Sequence, residues 1–182
     1  MVLGEERSFN LEGKKILMII APENFRDEEY FQPKEIFLKF GAEVTTASLK
    51  TGKIKGMLGG IAEAEITLDD VNVAYYDAIV FSGGSGATVY FDNEKALRIA
   101  KEAFEKGKVI GAICIAPAIL ANAGILKGKN ATVWKSDETL KIFDEQGVNY
   151  TGKDVEVAGN IITANAPHAA KEFAYEIARH LE

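Results

Sequence analysis

The chain of 182 residues is poor in the groups that most often make sites: one cysteine, two histidines, one tryptophan and four prolines. A lone cysteine, Cys114, excludes an internal disulfide and any cysteine-based zinc site. His168 and His180 stand too far apart to offer a metal-ligand pattern, so no metal is expected. Positive charge is also scarce. Against 27 acids there are 21 Lys and Arg, a net charge of −6. Phosphate backbones and anionic lipid surfaces need a basic face, so neither nucleic acid nor a membrane is expected as partner. Long apolar runs are missing as well: Met1 to Glu12 is polar, and Ile16 to Ala21 is far too short to span a bilayer. The expectation is a cytoplasmic protein whose thiol stays reduced.

What is present is alternation. Buried-strand patterns at Lys15 to Ala21, Glu43 to Leu49, Ala78 to Ser82 and Val109 to Ile113 are separated by helical patterns at Glu28 to Phe40 and Asn93 to Lys106. Thr51 to Ile66 reads as a small β excursion at the sheet edge, and Ala131 to Trp134 as a further strand. Helices over Ala116 to Ala123 and Asp137 to Gln146, a hairpin turning on Gly159-Asn160, and a helix from His168 to Leu181 complete the pattern. Strands alternating with helices give an α/β fold with a doubly wound, mainly parallel sheet. No repeat or linker divides it, so residues 14–182 are expected to form one domain behind a flexible charged leader, residues 1–13.

In such a sheet, ligands bind beyond the C-terminal strand ends. Three of those ends carry unusual chemistry. After the first strand come Glu23, Asp27, Glu28 and Glu29, acids that suit a helix start but of which one facing a thiol would do more. After Phe81 comes Ser82-Gly83-Gly84-Ser85-Gly86, which completes neither a dinucleotide nor a P-loop motif, so no nucleotide cofactor is expected. The amides of Gly83 and Gly84, with that of Ile115, are candidate oxyanion donors. The third end is Ala112-Ile113-Cys114-Ile115-Ala116-Pro117, the sequence form of a nucleophile elbow. Small residues two before and two after Cys114 permit the sharp turn, and the helix N-terminus behind it favours thiolate. His180 belongs to the last turn of the final helix. His168 follows Ala166-Pro167, where the strand-end edge and the open surface are both compatible with the pattern.

Taken in order, Lys15 to Ala21, Phe25-Arg26-Asp27-Glu28-Glu29-Tyr30, Tyr76 to Gly84, Val109 to Pro117 and Ile161 to Pro167 resemble the ThiJ/PfpI (DJ-one/PfpI) family. The resemblance spans Lys14 to Leu181 and implies a flavodoxin-like α/β sandwich assembled as dimers or higher homo-oligomers. It implies that Cys114 is the nucleophilic, oxidation-sensitive cysteine and Glu29 the acid touching it, with Asp27 and Glu28 as flanking surface acids. Gly83, Gly84 and the Ile115 amide match the family's oxyanion pocket. Two departures stand out. PfpI-type peptidases carry histidine where Ile115 stands, and the DJ-one branch carries one in the segment matching Thr132-Val133-Trp134. His168 is the candidate replacement.

Three functions follow from these residues. The first is a cofactor-independent enzyme acting on a small reactive carbonyl, glyoxalase- or deglycase-like, through Cys114 with Glu29 and His168. The second is a cysteine peptidase or amidase acting on peptides, and the third a non-enzymatic redox sensor or chaperone.

Overall fold

The computed structural model describes residues 7–182. Strand β1 (Lys15–Ile19) is apolar towards both faces, and residues 16–19 are at most 1 % exposed. It leads through a loop to α1 (Asp27–Lys39), whose return brings β2 (Glu43–Ser48) parallel alongside, Lys15 opposite Glu43. The β excursion is a hairpin of β3 (Gly52–Lys55) and β4 (Ile61–Ala64), after which β5 (Ile66–Thr67) closes the edge beside β2. On the other side of β1 lies β6 (Ala78–Phe81), followed by α2 (Glu94–Glu105), with Asn93 capping two amides, and by β7 (Val109–Ile113). Then come α3 (Pro117–Asn122), β8 (Asn130–Ala131), α4 (Asp137–Glu145), β9 (Asn149–Tyr150), the β10 (Val155–Ala158) and β11 (Ile161–Ala164) hairpin, and α5 (Ala170–Leu181).

The main sheet runs β10-β11-β7-β6-β1-β2-β5, parallel except for β10 against β11. From β1 the chain winds one way to β2, and from β6 the other way to β7. The switch in strand order therefore falls between β1 and β6, and its crevice opens beyond their C-terminal ends. Two apolar cores flank the sheet. One contains Ile99, Ile119 and Leu120 with Ile79 and Phe81; the other packs Phe37 of α1 and Phe173 and Ile177 of α5 against Met18, Val80 and Ile162. Tyr90 and Phe91 are buried in the first core, whereas Tyr75 is half exposed beneath the Lys15 ammonium.

Two expectations change. Of the leader, residues 1–6 lie outside the described part, but the remainder is docked rather than loose. Leu11 is fully buried with its N–H on Phe40 O at 2.8 Å, and Phe9 meets Phe40 edge-on at 5.5 Å. The surrounding charges conceal these apolar anchors in the sequence. The strand expected over Ala131 to Trp134 shrinks to the short pairing of β8 with β9. Its next amides are diverted, Thr132 N–H to Thr163 Oγ1 at 3.0 Å and Trp134 N–H to Cys114 O at 2.7 Å, which turns the segment towards the elbow. Among the described residues no helix is long and apolar enough to cross a membrane.

Gly111 in β7 shows how tightly α5 lies on the sheet: a Cβ there would stand 2.6 Å from Ile177 Cδ1 and 2.8 Å from Phe173 Cζ. Gly111→Ala is expected to cost about 1–3 kcal/mol through overpacking, read as a lower denaturation midpoint with an unchanged slope.

Candidate active site around Cys114

β7 ends at Ile113, and the next residue takes φ 64°, a left-handed conformation rare for a side chain that is not glycine. Cys114 holds this turn because its N–H donates to Ala164 O at 2.9 Å and its carbonyl accepts from Trp134 at 2.7 Å. Ala112 and Ala116 are fully buried on either side, as the elbow requires.

The loop after β1 is stitched to the loop after β6. Arg26 N–H donates to Gly83 O at 2.9 Å, and Gly86 N–H to Asn24 O at 3.1 Å, with Asn24 itself at φ 55°. Glycine is obligatory at the crossing. A Cβ on Gly84 would sit 2.3 Å from Arg26 N, and one on Gly83 would meet both Glu29 Oε1 at 2.6 Å and Cys114 Cβ at 2.7 Å. The loop thus delivers α1 with Glu29 facing the thiol. Pro33 lies inside α1 and has no N–H to offer the carbonyl of Glu29, four residues earlier. Ser82 Oγ donates to that carbonyl instead, at 3.3 Å, tying the Glu29 turn of the helix to the end of β6.

Glu29 is fully buried. Its Oε1 accepts from Gly83 N–H at 3.0 Å, while its Oε2 is buried without a hydrogen-bond partner, and the neighbouring Cys114 thiol acts on the carboxyl. Burial lifts this carboxyl to about 8, despite the thiol and the Gly83 amide, so it is mostly protonated at neutral pH. Burial also pushes the Cys114 thiol up to about 12, and the charge and hydrogen bond of Glu29 act in the same direction. The amides of Ile115 and Gly84 donate towards the sulfur and pull the other way. The thiolate preference read from the helix start is thus overridden. α3 is a short helix, and desolvation outweighs its terminus. Two of the three raising influences come from Glu29 and weaken when its carboxyl is neutral. A protonated carboxyl can moreover donate to the sulfur.

The site residues expected from sequence divide cleanly. Cys114, Glu29, Gly83, Gly84 and Ile115 meet at one point. Within that group, Gly83 has its N–H committed to Glu29, which leaves Gly84 and Ile115 as the amides aimed at the thiol. The His168 ring is 62 % exposed and pairs with Asp154 at 3.2 Å, while its neighbour Pro167 lines the cleft over the thiol. His180 Nδ1 lies 2.7 Å from Glu176 O within α5. Asp27, expected as a surface acid, is buried. Its carboxylate accepts from Leu58 N–H at 2.8 Å and Gly60 N–H at 2.7 Å, clamping the β3–β4 turn against the start of α1. Glu28 is half-buried and forms a two-point pair with Arg26, at 2.7 and 3.3 Å, which holds its carboxyl below the usual range.

Above the thiol opens a cleft of about 370 Å³. Besides Cys114 and Gly84 its walls are Arg26, Met57, Ser85, Ile115, Trp134 and Pro167. Met57 comes from the clamped turn, and its Sδ accepts from Ser85 N–H at 3.3 Å. Spacing in the chain gave no signal for Met57 as a site residue, because its place depends on the Asp27 clamp. Larger hollows occur elsewhere on the described surface, but neither is lined by Cys114 or a histidine. Among the described residues no three His, Cys, Asp or Glu side chains converge as a metal site.

A carboxyl held near 8 in the fold and near 4.5 when unfolded binds a proton that the unfolded chain has released. Stability from this group is therefore lost as pH rises across that window. Relative to wild type, Glu29→Gln should gain stability from about pH 4.5 to pH 8, at up to ~1.4 kcal/mol per pH unit, and then level off. Chemical denaturation across that pH range checks it; a constant difference would show that Glu29 is ionised throughout.

Residues 14–180 match the model of the DJ-1/PfpI family. An uncharacterized protein of Methanocaldococcus jannaschii is 42 % identical over 178 residues, covering 97 % of this chain and 87 % of that protein. The protein named deglycase PfpI of Pyrococcus furiosus is 36 % identical over 156 residues, covering 84 % of this chain and 90 % of its own. Among solved structures, a ThiJ/PfpI domain protein from Brachyspira murdochii superposes with a TM-score of 0.89 at 34 % identity, covering 93 % of this chain and 98 % of its own. With its mainly parallel sheet, its elbow cysteine and its buried glutamate, the chain belongs to the DJ-1/PfpI family.

Proposed function

We propose that the protein is a cofactor-independent enzyme that converts small α-oxoaldehydes to α-hydroxy acids through Cys114 and Glu29. The observation that carries this reading is Glu29, fully buried beside the Cys114 thiol with its Oε2 left without a hydrogen-bond partner. A carboxyl poised near 8 exchanges protons readily at neutral pH, as repeated proton movements at one substrate require. The name of the Pyrococcus furiosus relative agrees with chemistry at a carbonyl carbon.

The residues balance the reaction without an external oxidant. In the fraction with Glu29 ionised, its Oε2 takes the thiol proton as Sγ bonds to the aldehyde carbon and the carbonyl electron pair moves to oxygen. The amides of Gly84 and Ile115, aimed at the sulfur, are close enough to this developing charge to steady it. Glu29 returns the proton to that oxygen, giving a hemithioacetal, and is a carboxylate again. It then removes the C–H proton from the former aldehyde carbon, giving an enediolate, and delivers it to the adjacent carbonyl carbon, while the hydroxyl proton on the former aldehyde oxygen passes to the neighbouring oxygen as the thioester C=O forms. One carbon is oxidised and its neighbour reduced, leaving an α-hydroxy thioester on Sγ. Water hydrolyses the thioester, releasing the acid and restoring the thiol. Gly83 holds Glu29 by Oε1, so Oε2 alone does the shuttling.

His168 takes no step in this scheme, since its ring is exposed and engaged with Asp154. A peroxide sensor is less well supported, because burial raises the thiol pKa where sensing favours a low one.

With methylglyoxal as substrate and lactate as the product measured, Cys114→Ala should abolish turnover. Glu29→Gln should lower kcat by roughly 10²–10⁴-fold, the usual share of a proton-transfer group. The wild-type rate should climb with pH and level off near 8, as Glu29 ionises. His168→Ala should leave turnover within about twofold, well below the loss expected of a proton-transfer group. Lactate formation unchanged in Cys114→Ala would sink the proposal.

A further inference from the structure

Arg26 has no part in that proton shuttle, yet among the described residues it is the only charged side chain lining the Cys114 cleft. The walls that face it, Met57, Ile115, Trp134 and Pro167, are apolar. Its main chain is fixed to the floor of the site through Gly83 O at 2.9 Å. Its side chain is fixed by Glu28, which accepts from Nε at 2.7 Å and from Nη2 at 3.3 Å. A guanidinium has five N–H donors, so two are used on Glu28 and three remain. The group is 31 % exposed, which leaves it reachable from the cleft. Its positive charge acts on both Glu29 and Cys114. An arginine held still by one carboxylate, with a free edge beside a nucleophile, is arranged to take a second carboxylate in the planar, two-point geometry that guanidinium favours.

We infer that Arg26 is an anion-recognising residue of the cleft, and that the preferred substrates are α-oxoaldehydes bearing a carboxylate on the arm away from the aldehyde. The substrate class rests on the carbonyl chemistry proposed above; the anion subsite rests on the cleft alone. The apolar walls accommodate the carbon chain, and Arg26 fixes which end meets Sγ. Glu28 then has two opposing effects. It orients the guanidinium, and it offsets part of its charge, so its removal strengthens the attraction for an anion.

Alkylation of the thiol tests this independently of turnover. Iodoacetate and iodoacetamide attack the same sulfur and differ by a carboxylate in place of an amide, so the ratio of their rates cancels any change in thiol ionisation. The wild-type ratio should exceed that of a small free thiol by roughly tenfold, the size of one charge-assisted hydrogen bond at a half-exposed site. Arg26→Met should return it to the free-thiol value, Arg26→Lys should keep part of it, and Glu28→Gln should raise it. A wild-type ratio equal to that of the free thiol, or one that survives in Arg26→Met, overturns the inference. Should Arg26→Met fail to fold, the wild-type and Glu28→Gln ratios decide. For substrates, kcat/KM for an α-oxoaldehyde ending in a carboxylate should exceed that for its methyl ester by a similar factor, and equality would overturn the substrate class. An enzyme that converts no carbonyl while Arg26 still governs the alkylation ratio contradicts the proposed chemistry and leaves the anion subsite standing.

Discussion

The contact between a buried carboxyl and a buried thiol is what the rest of the site is built around. Neither group is comfortable there. Desolvation lifts Glu29 to about 8 and Cys114 to about 12, and each ionises at the other's expense. What makes the pairing tolerable is that Glu29 can keep its proton and still satisfy Oε1 through Gly83. A carboxylate left bare in an apolar core would be expelled or protonated. Here the protonated state is the resting one, and the thiol is the neighbour that acts on it.

That arrangement demands a rigid surround, and the chain supplies it mostly through backbone. The loops after β1 and β6 hydrogen-bond to one another, glycine at positions 83 and 84 lets them touch, and the residue at the elbow accepts a left-handed turn. Two substitutions for regular structure contribute as well. Pro33 frees a helix carbonyl for Ser82, and Asp27 replaces helix-surface solvation with two amides of the β3–β4 turn. The first fixes the height of Glu29 above the sheet. The second fixes Met57 as a wall of the cleft. A site assembled in this way resists reorganisation when charge moves within it.

Much of this was legible in the sequence, for identifiable reasons. Apolar runs bounded by glycine located β1, β6 and β7 because those strands are buried on both faces. The small residues around Cys114 disclosed the elbow because its sterics act locally. The resemblance across the whole chain singled out Glu29 from four neighbouring acids, a choice that the charges alone left open. Other features depended on contacts distant in sequence. The burial of Asp27 follows from a turn some thirty positions later, and the short strand at β8 follows from the pull of Thr163 and Cys114 on the next amides. His168 illustrates the same limit. Its neighbour Pro167 lines the cleft, yet its own ring turns outward to Asp154, and nothing in the local sequence distinguishes the two directions.

The central claim, that Glu29 rests protonated against the Cys114 thiol, is tested most directly by a carbon-detected NMR titration of selectively labelled Glu29. The account predicts a carboxyl that is largely protonated at pH 7 and titrates near 8. A midpoint near the ordinary carboxyl value of 4.5 would contradict it.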